Sequence, residues 1–87
     1  MIKRDYTIKA ETGIHARPAT ALVQTAAKFD SDVNIFLGDK KASLRSILGI
    51  MSLGIKNNDI VTLEVDGKDE AEAIEALETS LSEGGLI

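Results

Sequence analysis

The only imidazole in the chain, His15, stands in the run Thr12-Gly13-Ile14-His15-Ala16-Arg17-Pro18, where strand-like alternation gives way to helical spacing. A helix that begins there exposes unpaired backbone N–H groups and the positive end of its dipole. Such an end favours an anion by about 0.3–1 kcal/mol, and by about 2 kcal/mol where it is sheltered. The backbone donors of this anion site are those of Ala16 and Arg17. Gly13 permits a tight turn, and Arg17 adds a planar fork of donors matched to phosphate. A neutral imidazole is a good nucleophile, so the cluster suits a transient phosphohistidine held by these donors. The plainer alternative is a surface histidine acting as a weak helix cap beside an arginine that serves solubility. Residue types alone leave both open.

Ser46 is a second candidate. As an N-cap it would accept a backbone N–H from the following turn, worth about 1 kcal/mol with no function attached. Phosphorylated, it would place about −1.5 to −2 charges at a helix N-terminus, where they are tolerated. The helix it opens contains Ile47, Leu48, Ile50, Met51 and Leu53, too many apolar residues for one face. If Ile50 and Leu53 point inward, then Ile47, Leu48 and Met51 form an exposed apolar patch of the kind partners use. The alternative is a short helix buried on two sides.

Other chemistries are excluded or lack their residues. With one histidine and no cysteine among 87 residues, imidazole clusters, thiolate zinc sites, disulfides and Cys-His pairs are ruled out, and neither a metal nor a cofactor is expected. Nothing resembles a nucleophile elbow, a Walker A loop or a dinucleotide fingerprint. Asp66-Gly67-Lys68-Asp69-Glu70 lacks the spacing of a calcium loop and reads as a turn and an acidic first helical turn. A net charge of −4 and an aromatic content of 3% argue against nucleic-acid partners and a polybasic membrane tether. No apolar stretch approaches the roughly 20 residues of a membrane span, and the N-terminus lacks a signal-peptide pattern, so a cytoplasmic protein is expected.

The elements that must position these residues follow from periodicity. Ile2, Tyr6 and Ile8 alternate with polar residues as a half-buried strand. Ala16, Ala19, Leu22, Val23, Ala26 and Ala27 predict a helix running to about Lys28 or Phe29, with Pro18 in its first turn. Val33, Ile35 and Leu37, the turn Gly38-Asp39 and the stretch from Lys40 to Ser43 predict a hairpin. A short helix from Ser46 stops at Gly54, Asn57-Asn58-Asp59 turns, and Val61, Leu63 and Val65 make a fourth strand. Asp69 with Glu72 resembles a capping box opening a last helix whose apolar face is Ala71, Ile74, Leu77 and Leu81. The order βαββαβα over 1–87 predicts a single α+β domain, one sheet face covered by helices and the other solvated.

Taken together, Gly13-Ile14-His15-Ala16-Arg17-Pro18-Ala19-Thr20, the run Ser46-Ile47-Leu48-Gly49-Ile50-Met51-Ser52-Leu53-Gly54 and the chain length resemble the HPr family. These are the histidine-containing phosphocarriers of the bacterial phosphoenolpyruvate-dependent sugar phosphotransferase system. The resemblance covers essentially the whole chain. It implies an open-faced β-sandwich, a four-stranded antiparallel sheet with three helices on one face. It also implies that phosphorylated enzyme I passes a phosphoryl group to Nδ1 of His15, with Arg17 as charged neighbour, and that His15 passes it to the enzyme IIA domain of a sugar permease. Ile47, Leu48 and Met51, with Thr20, would then form the docking surface. Ser46 matches the regulatory serine that an HPr kinase/phosphorylase modifies in many Gram-positive relatives, where the product assists a catabolite repressor, and Arg45 is expected to partner that phosphate. A phosphate on Ser46 is expected to slow transfer to His15.

The motif surroundings look more Gram-positive than enteric. Leu48 stands where methionine or phenylalanine is expected, and Thr12 where serine or asparagine is usual; apolar character and a hydroxyl both survive. The presence of His15 disfavours a regulatory paralogue carrying glutamine there. A monomeric carrier that is a substrate of enzymes more than an enzyme is the leading reading. A regulatory module acting through the Ser46 helix, and a nitrogen-branch phosphocarrier with the same chemistry, are the competitors.

Overall fold

The computed structural model describes residues 1–87. The chain runs β1 (Ile2–Thr7), α1 (Ala16–Ala26), β2 (Asp32–Leu37), β3 (Lys40–Ser43), α2 (Ile47–Ser52), β4 (Ile60–Asp66) and α3 (Glu70–Glu83). Its four strands form one antiparallel sheet in the order β1-β4-β2-β3. Register follows from alternation, since a slip of one residue would turn every apolar side chain to water. Val33 therefore lies opposite Val65, and Ile35 is flanked by Leu63 and Ala42. All of these are buried on the covered face.

Three helices close that face, as the resemblance implies. Ala19, Leu22 and Ala26 of α1, Ile50 of α2, and Ala73, Ile74, Leu77 and Leu81 of α3 join the strand residues in one apolar core. The opposite face is polar: the Thr62 hydroxyl donates to Asp5 at 2.6 Å, and Lys3 pairs with Glu64 at 3.4 Å. Phe36 lies half-buried on that face with the Lys41 ammonium 5.7 Å from its ring centroid. At the edge of the sheet, Arg4 reaches Glu75 of α3 at 3.2 Å and the Tyr6 hydroxyl donates to Glu78 at 2.9 Å.

Three expectations need correction. Helix α1 ends at Ala26 rather than at Lys28 or Phe29, because its last turn tightens: Lys28 N–H bonds to Thr25 and Phe29 N–H to Ala26. Asp69 occupies the N-cap position of α3 without capping it. Its carboxylate accepts instead from the Asp30 N–H (2.9 Å), the Ser31 N–H (3.0 Å) and the Ser31 hydroxyl, so Glu72 is no capping-box partner. Buried Ser31 needs that acceptor, whereas Ala71 and Glu72 in the first turn of α3 are exposed. Finally, Ala71 is exposed and Ala73 takes the core position assigned to it.

Candidate functional site

His15 is the N-cap residue of α1, in extended conformation (φ −107°, ψ −167°), and its side chain makes no capping hydrogen bond. Only its carbonyl serves the helix, accepting from Ala19 N–H at 3.1 Å. The residue is exposed, and its imidazole is not engaged in capping. Ala16 and Arg17 are exposed in the first turn, Pro18 contributes no N–H, and no acidic side chain lies in that turn. The N–H groups of Ala16 and Arg17 are thus orphan donors at the positive helix end.

The loop ahead of His15 is tightly held. Gly13 adopts a left-handed conformation (φ 66°), and its N–H bonds to Ala10 at 3.0 Å. Ile14 is buried as an anchor, and its N–H donates to the Ile55 carbonyl at 3.2 Å. One end of a groove of about 900 Å³ between α1 and α3 includes His15 and Arg17; Gln24, Lys28, Thr79 and Glu83 also line it. Sequence reasoning missed Gln24 and Lys28, although Arg17, Ala21, Gln24 and Lys28 recur at the spacing of one helical face.

Helix α2 matches the patch expectation with one change. Ile50 and Leu53 are buried, Leu48 is 81% exposed and Met51 42% exposed. Ile47 is only half-exposed and packs against the core, so the freely exposed patch is Leu48 and Met51 with Ile47 at its margin. The exposed Ser46 caps α2, its Oγ accepting from Gly49 N–H at 3.0 Å. Thr20 is half-buried and donates its hydroxyl to the Ala16 carbonyl at 2.8 Å.

Arg45 departs from expectation. Its guanidinium donates to the carbonyls of Ala26 (3.0 Å), Phe29 (2.9 Å) and Ser31 (2.8 Å), capping the end of α1 and bracing the connection to β2. It is a structural clasp rather than a free partner for phosphate on Ser46. The signal was available in the sequence, since α1 ends in Ala26-Ala27-Lys28 with no glycine to satisfy its last carbonyls.

The family model described as the PTS HPr component phosphorylation site matches residues 2–83. The chain belongs to the HPr family. It is a phosphocarrier family of the phosphotransferase system, and the open-faced sandwich described above is its fold. Among solved HPr structures, the histidine-containing phosphocarrier protein of Mycoplasma is 35% identical, with a TM-score of 0.96 over 99% of this chain and 98% of that one. HPr-C-His from Thermoanaerobacter tengcongensis is 44% identical, with a TM-score of 0.90 and coverage of 98% and 96%. The catabolite-repression protein Crh of Bacillus subtilis, described as a domain-swapped dimer, is 38% identical with a TM-score of 0.76, covering 100% and 99%. No helix of the protein is long and apolar enough to cross a membrane.

Proposed function

We propose that residues 1–87 act as a single, monomeric, cytoplasmic HPr domain that accepts a phosphoryl group from phosphorylated enzyme I on His15 and passes it to enzyme IIA domains of sugar permeases. The observation that carries this reading is the uncommitted imidazole of His15 at a helix N-terminus, beside Arg17 and the orphan N–H groups of Ala16 and Arg17. The attacking ring nitrogen needs its lone pair, so the reactive form is the neutral ring with its proton on Nε2. As the bond from Nδ1 to phosphorus forms, the bond from phosphorus to the donor breaks and its electron pair stays with the donor. Arg17 and the backbone donors stabilise the phosphoryl oxygens, and the exposed site leaves the group accessible to the next acceptor.

Docking falls to Leu48 and Met51, with Ile47 and Thr20 at the margin. Ser46 is the regulatory position in this proposal: its hydroxyl is exposed, and a phosphate there would sit at the N-terminus of α2, repelling a phosphorylated donor beside the apolar patch. An HPr kinase/phosphorylase would install it, and a catabolite repressor would read it. The likeness to Crh favours, as a second reading, a module whose output is that regulation alone.

The test is incubation with phosphoenolpyruvate and enzyme I, followed by intact mass. The expected product is one acid-labile phosphate per chain, absent in His15→Ala. A folded wild-type protein that stays unmodified beside an active control carrier would overturn the carrier reading in favour of the regulatory module.

A further inference from the structure

The segment ahead of His15 is laced to the connection between α2 and β4. Ile8 N–H donates to Asp59 at 2.8 Å, Asn58 N–H to Ile8 at 2.7 Å, Asn57 Nδ2 to the Lys9 carbonyl at 3.0 Å, and Ile14 N–H to Ile55 at 3.2 Å. The last of these lies one residue before His15. At the same point Gly13 is pressed against the connection so closely that a Cβ built on it would overlap the Ile55 carbonyl oxygen and stand 2.9 Å from Lys56 Cα. Both obstacles are backbone, which cannot swing aside as a side chain would. Ile14 and Ile55 are themselves core residues, so the two segments meet over a fixed floor.

We propose that the connection 55–59, through the Ile55 carbonyl seated on Gly13 and Ile14, is a positioning element for phosphoryl transfer: it sets where the His15 ring stands relative to the donors of α1. This rests on the carrier reading of His15. None of the positioning residues touches the phosphoryl group. They act by holding the backbone from which His15 projects, and near-attack geometry is sensitive at the level of about 1 Å.

Four full-length proteins decide it: wild type, Gly13→Ala, Gly38→Ala and Asn57→Ala. Gly38 has nearly the same left-handed backbone (φ 63° against 66°) but open space where a Cβ would go, so its alanine variant carries the strain without the collision. Three quantities are read: the 1H–13C ring signals of His15, hydrogen exchange of the Ile14 amide, and the rate of phosphoryl acceptance from phospho-enzyme I. For Gly13→Ala we expect shifted ring signals, faster exchange at Ile14 and transfer slowed about 10- to 100-fold. Asn57→Ala should move all three in the same direction by less. Gly38→Ala should lose stability and keep all three near wild type.

Unchanged ring signals and transfer in folded Gly13→Ala, or equal effects from Gly38→Ala, would overturn the proposal. If Gly13→Ala does not fold, Asn57→Ala decides: wild-type signals, exchange and transfer refute it. If the wild type itself takes no phosphoryl group, the carrier reading fails alone, while ring signals and Ile14 exchange still decide whether the connection places His15.

Discussion

One carboxylate, that of Asp69, holds together two parts of the chain that lie 38 residues apart. The Ser31 hydroxyl, and after it the Asp30 N–H, keep its pKa below the usual aspartate value. A group whose folded pKa is depressed contributes stability above its unfolded pKa, about 3.9, and loses that contribution as pH falls through the folded value. Asp69→Asn should therefore be less stable than wild type at neutral pH, and the two should converge as the wild-type carboxylate protonates. Urea midpoints from neutral to acid pH check this; a constant gap across the range would exclude the carboxylate charge as the cause. The contrast with His15 explains what was legible at this scale. His15, Arg17 and their helix end lie within a few residues of one another, so spacing offers them as candidates, while a weak cap stays open until the resemblance is added. Asp69 and Arg45 meet partners 14 or more residues away: the glycine-free end of α1 marks carbonyls in need of a donor, but nothing local in the sequence points to Arg45 as that donor or to Ser31 as the partner of Asp69.

Elements were legible wherever burial is periodic. Alternation in Val61, Leu63 and Val65 and helical spacing in Ala19, Leu22 and Ala26 reflect a single covered face, and the structure buries them all. Where tertiary partners compete with local signals, the details departed: α1 stops short in a tightened turn whose carbonyls Arg45 takes up, and α3 starts at Asp69 as expected but without its cap bond, because the carboxylate is drawn away to Ser31. Helix α2 was half-legible, because its composition demanded two apolar sides, Ile47 with Leu48 and Met51 on one, without saying whether that side is exposed or buried. That ambiguity gives a test. Leu48→Asp, at an 81% exposed position, should change stability by no more than about 0.5 kcal/mol. In the same variant, phosphoryl acceptance from enzyme I should fall about tenfold through weaker docking. Ile47→Asp, packed on the core, should lose stability as well. Denaturant midpoints beside transfer rates check it, and an unchanged rate in folded Leu48→Asp would remove that residue from the docking surface.

The molecule as a whole has an apolar interior on one side of its sheet and a solvated lattice of polar pairs on the other, the arrangement that one-sided alternation predicts. Charge is also sorted: α3 carries Glu70, Glu72, Glu75, Glu78 and Glu83 with no cation, whereas Arg17 and Lys28 line the α1 side of the groove. Strand β1 is an edge strand held by β4 on one side and by α3 beneath; on the monomeric reading proposed above, light scattering should give one chain of 9.3 kDa. Twice that mass would indicate strand exchange of the kind described for Crh. Tyr6 is the lone tyrosine of a chain without tryptophan, and burial, with the Glu78 carboxylate it donates to, pushes its pKa up to about 12. A phenol bonded to a carboxylate loses excited-state energy through its shared proton, so the folded protein should be optically dim. Its ultraviolet emission then becomes a label-free gauge of whether the edge strand is seated on α3, brightening as that strand lifts away.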